Sequence, residues 1–343
     1  MDKAVVTSNI YRDFAQGIEK FQKHRENPDI LVSGRGLATT FREICIRRAT
    51  RHYASEDLSD NERRLLKLEA DTWELLQRVY EHRRKPQGEG RTTQELLKAN
   101  YYTPPLALYK SWLDYSPRLA ELCQIQKWLE SIYRPNEAPL LTNEYWKFTR
   151  MDLKQKRRQG QNARTGYVRT LDPDAVNRIG DSGVLNADDA EEEKALLNSL
   201  FQHVRAGKIE NAAAICEGSA RPWRAAVLRG TYHLRWDYLN DLTEAPQRGS
   251  NEVWSGNRRW LLWRETCAQA AMSNTLSTTD KALHAAIAPS VYTLPALLPM
   301  CHTWEDHLWA RLSSLIGDRI EIKLNESAGG FWNPGKLRDR LAL

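Results

Sequence analysis

The sequence has few cysteines and no long apolar run. Its five cysteines are scattered, with an odd total and no Cys-x-x-Cys pair. This pattern argues against a disulfide framework and favours reduced, mostly buried thiols of an intracellular protein. No stretch approaches the roughly 20 apolar residues that cross a bilayer, and the first residues contain no signal-peptide core. We therefore expect no membrane insertion.

Common catalytic motifs are also missing from the sequence. It contains no glycine-rich phosphate loop, no nucleophile elbow and no pair of carboxylates in an apolar setting. These absences remove the usual sequence grounds for assigning an enzyme activity or a cofactor. We expect neither in this chain.

Composition and periodicity favour a helical protein. With 343 residues, 41% of them hydrophobic, the chain can bury a large core as one elongated domain or two compact ones. Long stretches show helical periodicity, and glycine and proline fall between them. The predicted fold class is therefore all-α. The one exception is residues 319–323, where Ile320 and Ile322 alternate with charged residues and favour a short strand.

Three helices are predicted early in the chain, over residues 11–24, 40–53 and 60 to about 83. Asp60 can cap the third of them. Apolar side chains recur along this helix at helical spacing, which predicts one buried face. The residues assigned to that face are Leu65, Leu68, Leu76 and Val79, with Trp73 beside them. A further helix is closed off by Pro135.

Beyond residue 190 the pattern changes to short helices that end at glycines. The first is predicted over residues 195–206, with Gly207 in a left-handed cap. The second ends at Gly218, and Pro222 suits the first turn of the third. Short helices joined by glycine turns are typical of an α-solenoid, although no fixed repeat period is visible.

The helix over residues 195–206 carries more apolar residues than one buried stripe requires. They are Leu196, Leu197, Leu200, Phe201 and Val204. Positions 196, 200 and 204 suffice for packing, which leaves Leu197 and Phe201 as candidate anchors for a partner protein. The alternative is that all five belong to the core.

The segment Cys301 to Ala310 has two interpretations. As a metal-dependent hydrolase site, it would use Cys301, His302 and His307 as ligands, with Glu305 or Asp306 as the base. A helical zinc site, however, requires two histidines four positions apart, and these two are five apart. The ligand spacing therefore argues against a metal site.

The second interpretation is the capped start of a buried helix. Thr303 is a suitable N-cap, and Asp306 three positions later makes a capping-box-like pair. The apolar residues that recur along one face are Trp304, Leu308, Leu312 and Leu315. This interpretation explains more residues than a metal site does, and it makes Trp304 and Leu308 core residues.

The net charge of +6 raises the possibility of nucleic-acid binding. The most basic stretch is Lys154 to Arg158, followed by Arg164 and Arg169, and it could contact phosphate or act as a nuclear import signal. Only Tyr167 is available there for base stacking, and the acidic run at residues 188–193 follows soon after. We favour a solvated, partly disordered charged loop.

Tryptophan is abundant, with 12 residues in all. Trp254, Trp260 and Trp263 lie near Arg258 and Arg259, which would suit cation–π contacts or a ligand cage. Packing between helices is the more usual role of indole side chains at helical spacing. We expect the same structural role for Trp73, Trp128 and Trp223.

Several segments carry a family resemblance. Residues 301–310 resemble the Cys-x-x-Trp-Glu-Asp-x-x-Trp-Ala segment of the nuclear pore protein 84/107 family. Further segments agree with the family in the same order along the chain, and they are residues 69–76, 127–130, 145–149, 171–175, 205–208 and 222–226, the last preceded by Cys216. The resemblance covers about residues 66–316, and the ordered set is far more specific than any one member.

The resemblance implies an elongated, irregular α-solenoid of the ancestral coatomer element type. In this fold the chain runs along a trunk, turns through a crown of helices and returns along the trunk. The resemblance also implies a scaffold nucleoporin of the Y-shaped subcomplex, located at the nuclear pore complex in the nuclear envelope. Its crown would pair with nuclear pore protein 96, also known as the carboxyl-terminal product of nuclear pore protein 145.

By this resemblance, residues 1–135 form trunk helices and 136–190 a linker helix with the charged loop. Residues 191–300 form the crown, and 301–343 the return trunk helix with a truncated end. Family members continue well beyond this helix, and their tail binds nuclear pore protein 133. We therefore expect a fragment or a short homologue that does not bind that protein. A helical nucleic-acid-binding module and a metal-dependent hydrolase remain as alternatives.

Overall fold

The computed structural model describes residues 3–22, 34, 36–50, 59–99, 103–159, 168, 171–173, 175, 184–236 and 254–327. In its first half the helices are α1 Lys3–Gln22, α2 Leu37–Thr50, α3 Asp60–Arg84, α4 Thr93–Ala99, α5 Pro105–Asp114, α6 Pro117–Ile132 and α7 Lys147–Arg158. The later helices are α8 Ala187–Arg205, α9 Ile209–Gly218, α10 Pro222–Arg229, α11 Trp260–Met272, α12 Thr278–Ile287, α13 Leu294–Leu297 and α14 Trp304–Ser327.

The predicted all-α class is confirmed. Sheet in the described part of the chain amounts to one antiparallel pair of two-residue strands, β1 Arg235–Trp236 and β2 Trp254–Ser255. The strand predicted at residues 319–323 is wrong, because these residues lie within α14. Ile320 is buried there, one helical turn from the buried Ile316 and Leu324, so burial follows the helical spacing.

The chain divides into two compact units. The first comprises Met1–Glu89 and Ser116–Trp128, and the second comprises Gly90–Tyr115 and Leu129–Leu343. Residues 90–115 and 129–135, grouped by the sequence with the amino-terminal trunk, therefore fall in the second unit. Each unit is therefore made of helices that contact one another, and these helices are not all consecutive in sequence.

In the first unit, α2 packs against α1 and α3. The Phe41 ring meets Phe14 and Trp73 edge-on, each with a centroid distance of 4.9 Å. Trp128 is buried and donates its indole N–H to the Asp71 carbonyl at 2.8 Å. Trp73 and Trp128 thus contribute to packing between helices.

Two details of α3 differ from the sequence prediction. Its N-cap is Ser59 rather than Asp60, and a capping box joins Ser59 to Glu62. The predicted buried face is also wrong, because Leu65, Leu68 and Leu76 are exposed. The side of α3 that faces α2 carries instead Ala70, Trp73, Glu74 and Gln77, of which Glu74 pairs with Arg42 and Gln77 accepts a hydrogen bond from Thr39.

In the second unit, consecutive helices pack as neighbours, which gives the solenoid-like arrangement of α8, α9 and α10. Helix α8 ends as predicted. Gly207 has φ +68°, Lys208 N–H donates to the His203 carbonyl and Gly207 N–H to the Val204 carbonyl, which is a Schellman cap. The predicted end of α9 at Gly218 and start of α10 at Pro222 are confirmed.

Helix α8 begins eight residues earlier than predicted. Asn186 caps it by accepting a hydrogen bond from Asp188 N–H at 2.9 Å, so the acidic run at residues 188–193 forms its first turns. The expectation that this run belongs to a charged loop is wrong. Carboxylates are favourable in this position because they lie at the positive end of the helix dipole.

Candidate interaction surface

Three of the segments that carry the family resemblance meet in the second unit, at a buried arginine. Arg205 is 1% exposed and donates to the Asp306 carboxylate at 2.9 Å and to the Leu129 carbonyl at 2.8 Å. Its guanidinium carbon lies 4.8 Å from the ring centroid of Tyr133 and 5.0 Å from that of Trp309. We refer to these five residues as the Arg205 cluster.

Asp306 has two roles in the Arg205 cluster. Besides pairing with Arg205, it accepts hydrogen bonds from the backbone N–H groups of His302 and Thr303, and its own N–H donates to the Thr303 hydroxyl. The predicted capping pair is thus present. Burial opposes ionisation of Asp306, but the His302 N–H and the Arg205 guanidinium outweigh it and lower the pKa of the carboxyl.

The Arg205 cluster extends to the glycine that ends α8. Trp309 donates its indole N–H to the Glu130 carboxylate at 3.4 Å. A Cβ on Gly207 would lie 2.8 Å from the other oxygen of that carboxylate. The left-handed backbone therefore favours glycine, and a larger residue would also force the Glu130 carboxylate to move.

The buried face of α14 differs from the predicted one. Trp304 is 61% exposed, Leu315 is exposed and Leu308 is only partly buried, whereas Trp309 is 2% exposed. The prediction that Trp304 is a core residue is wrong. Because Asp306 must face Arg205, the residues three, four and seven positions later turn inward, and these are Trp309, Ala310 and Ser313.

A second buried arginine joins α8 to α10. Arg221 is 1% exposed and pairs with Glu193 at 2.9 Å and Glu192 at 3.5 Å. Arg224 pairs with Glu193 at 2.8 Å and with Asp280 of α12 at 3.2 Å. The acidic residues predicted to keep a loop in water thus connect three helices.

This network holds one strongly shifted carboxyl group. Burial opposes ionisation of Asp280, but hydrogen bonding to His284 and the charge of Arg224 lower its pKa to about 2. Next to the network, the partly buried Trp223 meets the Tyr145 ring edge-on at 4.8 Å, and Tyr145 stacks on Trp146 at 4.4 Å. The segments at residues 145–149 and 222–226 therefore pack together.

The basic run at residues 154–158 lies in the last turns of α7, so the expectation of a loop is wrong for it. The opposite end of this helix is capped by the buried Asp189, which accepts hydrogen bonds from the N–H groups of Phe148 and Thr149. Basic side chains at the carboxyl end of a helix stabilise it, because they lie at the negative end of the helix dipole. Arg164, Tyr167 and Arg169 lie outside the described residues.

The candidate metal ligands do not form a site. Cys301 is buried with its thiol near the Leu297 carbonyl, and burial raises the pKa of that thiol to about 11, whereas His302 and His307 are exposed. Across the described ranges, no three His, Cys, Asp or Glu side chains are grouped to hold a metal ion. A helix that is both long and apolar enough to cross a membrane is likewise not found among those ranges.

Two of the three clustered tryptophans can be placed. Trp260 donates its indole N–H to the Thr231 carbonyl at 3.1 Å, and Trp263 donates to the Val227 carbonyl at 3.0 Å. Both side chains attach α11 to the end of α10. The side chain of Trp254 lies outside the described residues.

The two predicted partner anchors are not on the surface. Leu197 is 5% exposed and Phe201 is 4% exposed, so all five apolar side chains of this helix belong to the core. A side chain buried against its own chain has no apolar area left for another protein. The prediction that these two side chains are exposed anchors is wrong, because α8 packs against both α9 and α12 and needs more than one buried stripe.

Exposed apolar side chains lie instead around a groove of about 1010 Å³ between α11, residues 288–295 and α14. We call it the α11 groove. Its exposed apolar residues are Met272, Val291 and Tyr292. At its base the buried Arg264 pairs with Glu321 at 2.8 Å and with Asp318 at 3.3 Å. No sequence motif marks this groove, because its residues come from three separate segments.

Comparison with known proteins identifies the family. The family model described as Nuclear pore protein 84 / 107 matches residues 63–341. Nucleoporin nup107 of Schizosaccharomyces pombe is 26% identical over 304 residues, covering 88% of this chain and 35% of the relative. Nuclear pore complex protein Nup107 of Homo sapiens is 30% identical over 276 residues, covering 77% and 28%. The corresponding rat protein, from Rattus norvegicus, is 31% identical over 274 residues, with the same two coverages.

The chain spans about a third or less of the length of these relatives. Within that span, the family model covers most of this chain, including the Arg205 cluster and the Arg221–Arg224 network. The chain therefore belongs to the nuclear pore protein 84/107 family.

Proposed function

We propose that this chain is a structural scaffold nucleoporin of the Y-shaped subcomplex, located at the nuclear pore complex in the nuclear envelope. It would support pore assembly and the transport of mRNA and protein between nucleus and cytoplasm. The observation that carries the proposal is how three family segments meet at a buried arginine. Leu129 and Glu130 come from the first segment, Arg205 from the second, and Asp306 and Trp309 from the third. These three family segments thus hold helices together.

We infer no catalytic activity for this chain. Three buried arginines of the second unit each pair with a carboxylate: Arg205 with Asp306, Arg221 with Glu193, and Arg264 with Glu321. Buried ion pairs of this kind specify the packing of helices. The relatives bear the names of nucleoporins and nuclear pore complex proteins, which supports a structural role.

The proposed partner is another coatomer-like nucleoporin, nuclear pore protein 96 or the carboxyl-terminal part of nuclear pore protein 145. Pairing would use the crown, residues 191–300.

Size-exclusion chromatography with light scattering tests the pairing. The purified chain, mixed with the crown segment of nuclear pore protein 96, should elute as a one-to-one complex. Separate elution from the crown segment would contradict the pairing. A fluorescently tagged chain should also collect at the nuclear rim, and a diffuse nuclear signal with salt-sensitive DNA or RNA binding would favour the nucleic-acid alternative.

A further inference from the structure

The α11 groove has the size and base of a docking site. Its volume of about 1010 Å³ lies at the upper end of the range for ligand pockets, roughly 300–1,000 Å³. Ala288 is fully buried at its base and Ser290 is 6% exposed. The space above such small residues can receive several side chains of a partner.

The walls of the groove are apolar and exposed. Met272 at the end of α11 is 43% exposed, and Val291 and Tyr292 on the facing segment are 57% and 56% exposed. Single exposed apolar residues are ordinary, but several around one concave surface indicate a binding site. Methionine and tyrosine are also enriched at protein interfaces.

The groove is acidic, although the chain as a whole carries a net charge of +6. Three carboxylates line it, Glu265, Asp318 and Glu321, against the single guanidinium of Arg264. That guanidinium already pairs with Glu321 and Asp318 and donates to the Pro289 carbonyl. The local excess of two negative charges is therefore complementary to a basic occupant.

We propose that the α11 groove docks an amphipathic helix of another nucleoporin. Apolar side chains of this helix would pack against Met272, Val291 and Tyr292, and one or more of its Lys or Arg side chains would face Glu265 and Asp318. A helix suits this site because the long walls are helices, and a helix presents apolar anchors at intervals of three and four residues. The proposal rests on the proposed scaffold function, because the partner is taken to be a pore component.

Site-specific cross-linking in cells tests which molecule occupies the groove. A photoreactive amino acid replaces Tyr292 in the full chain, and Tyr232, which is 41% exposed outside the groove, is the matched control. We expect position 292 to cross-link to a nucleoporin, with mass spectrometry placing the site in a helical segment that contains Lys or Arg. Cross-links to a second copy of this chain, to a non-helical segment, or no stronger than at position 232 would overturn the proposal.

Binding measurements separate this proposal from the proposed function. In titrations with the crown segment of nuclear pore protein 96, Tyr292→Glu and Met272→Glu should weaken binding at least about tenfold. Leu262→Glu is the control, since Leu262 is 46% exposed on the same helix but does not line the groove. All variants should keep the melting temperature of the parent chain.

The groove proposal and the proposed pairing with nuclear pore protein 96 are contradicted by different results. If the parent chain and all three variants bind the crown segment equally well, the groove is wrong and the scaffold function stands. If the parent chain does not bind the crown segment, the pairing under the proposed function is wrong, and the cross-links at position 292 still decide whether a nucleoporin helix occupies the groove. A Glu265→Lys variant of the parent chain should also weaken binding of the crown segment. Unchanged binding would contradict the proposal that a basic side chain of the partner faces Glu265.

Discussion

Arg205 and Asp306 are 101 positions apart in sequence, yet their side chains form a buried ion pair of 2.9 Å. Asp306 also caps α14, and Arg205 is the last residue of α8. The pair therefore sets the rotation of α14 about its axis at the same point where it joins the two helices. With this rotation, Trp309, Ala310 and Ser313 of α14 are buried.

Removing one partner of this pair should strongly destabilise the chain. We expect Arg205→Met or Asp306→Ala to lower the free energy of unfolding by about 3–5 kcal/mol, because each leaves a buried charge without its partner. Urea denaturation measures the effect. Arg229→Ala is the matched control, since Arg229 pairs with Glu210 and Glu217 on the surface, and its loss should leave the urea midpoint nearly unchanged. If Arg229→Ala lowered the free energy of unfolding as much as Arg205→Met does, burial of the Arg205 ion pair would not explain its effect.

Gly207→Ala should destabilise the chain by more than about 1 kcal/mol. The alanine would have to adopt φ near +68° and would place its Cβ against Glu130. Gly218→Ala is the control, because nothing lies within 4 Å of a Cβ at that position. In a Glu130→Ala background the close contact is already absent, so adding Gly207→Ala should there cost only the backbone part. A fully stable Gly207→Ala variant in thermal denaturation would contradict both reasons for the glycine.

Trp309→Ala should cost about 3–5 kcal/mol, whereas Trp304→Ala should cost little. Trp309 is buried against Arg205 and Glu130, and Trp304 is mostly exposed. Chemical denaturation of the two variants gives the comparison. A larger loss of unfolding free energy in Trp304→Ala than in Trp309→Ala would support the sequence prediction that Trp304 lies in the core.

The chain should lose stability as the pH falls from about 6.5 towards 4, in part through His233. Burial and the nearby Arg264 charge lower the pKa of this imidazole to about 4, and its ring lies between Trp260 at 4.4 Å and Tyr109 at 5.6 Å. In this pH window the unfolded chain binds a proton at His233 and the folded chain does not, so stability rises with pH. His233→Phe should reduce the slope of unfolding free energy against pH. An unchanged slope would show that His233 is not the group responsible.

Helix ends and starts can be predicted from sequence where they depend on contacts within one turn. Gly207, Gly218 and Pro222 mark helix ends, and Thr303 with Asp306 marks a helix start, because each depends on hydrogen bonds or backbone angles within a few residues. The start of α8 at Asn186 was also marked, by an Asn cap ahead of acidic residues. The charge of the same run favours a solvated loop, so the two local signals conflict.

The faces of helices were less predictable. Both α3 and α14 carry apolar residues on more than one side, so periodicity alone allowed more than one buried face. In α3 the choice follows from packing against α2, and in α14 it follows from the Arg205–Asp306 pair. In α8 all five apolar side chains from Leu196 to Val204 are buried, because α9 and α12 both pack against this helix.

The all-α class, several helix ends and the family follow from the sequence alone, because they depend on local backbone preferences and on ordered short segments. Tertiary structure alone decided which tryptophan of the Cys301 to Ala310 segment is buried, which apolar side chains remain exposed and where the α11 groove lies. The physical reason is that burial depends on the neighbours of a side chain in space. Those neighbours come from segments as far apart as Arg205 and Asp306, and no local pattern records their meeting.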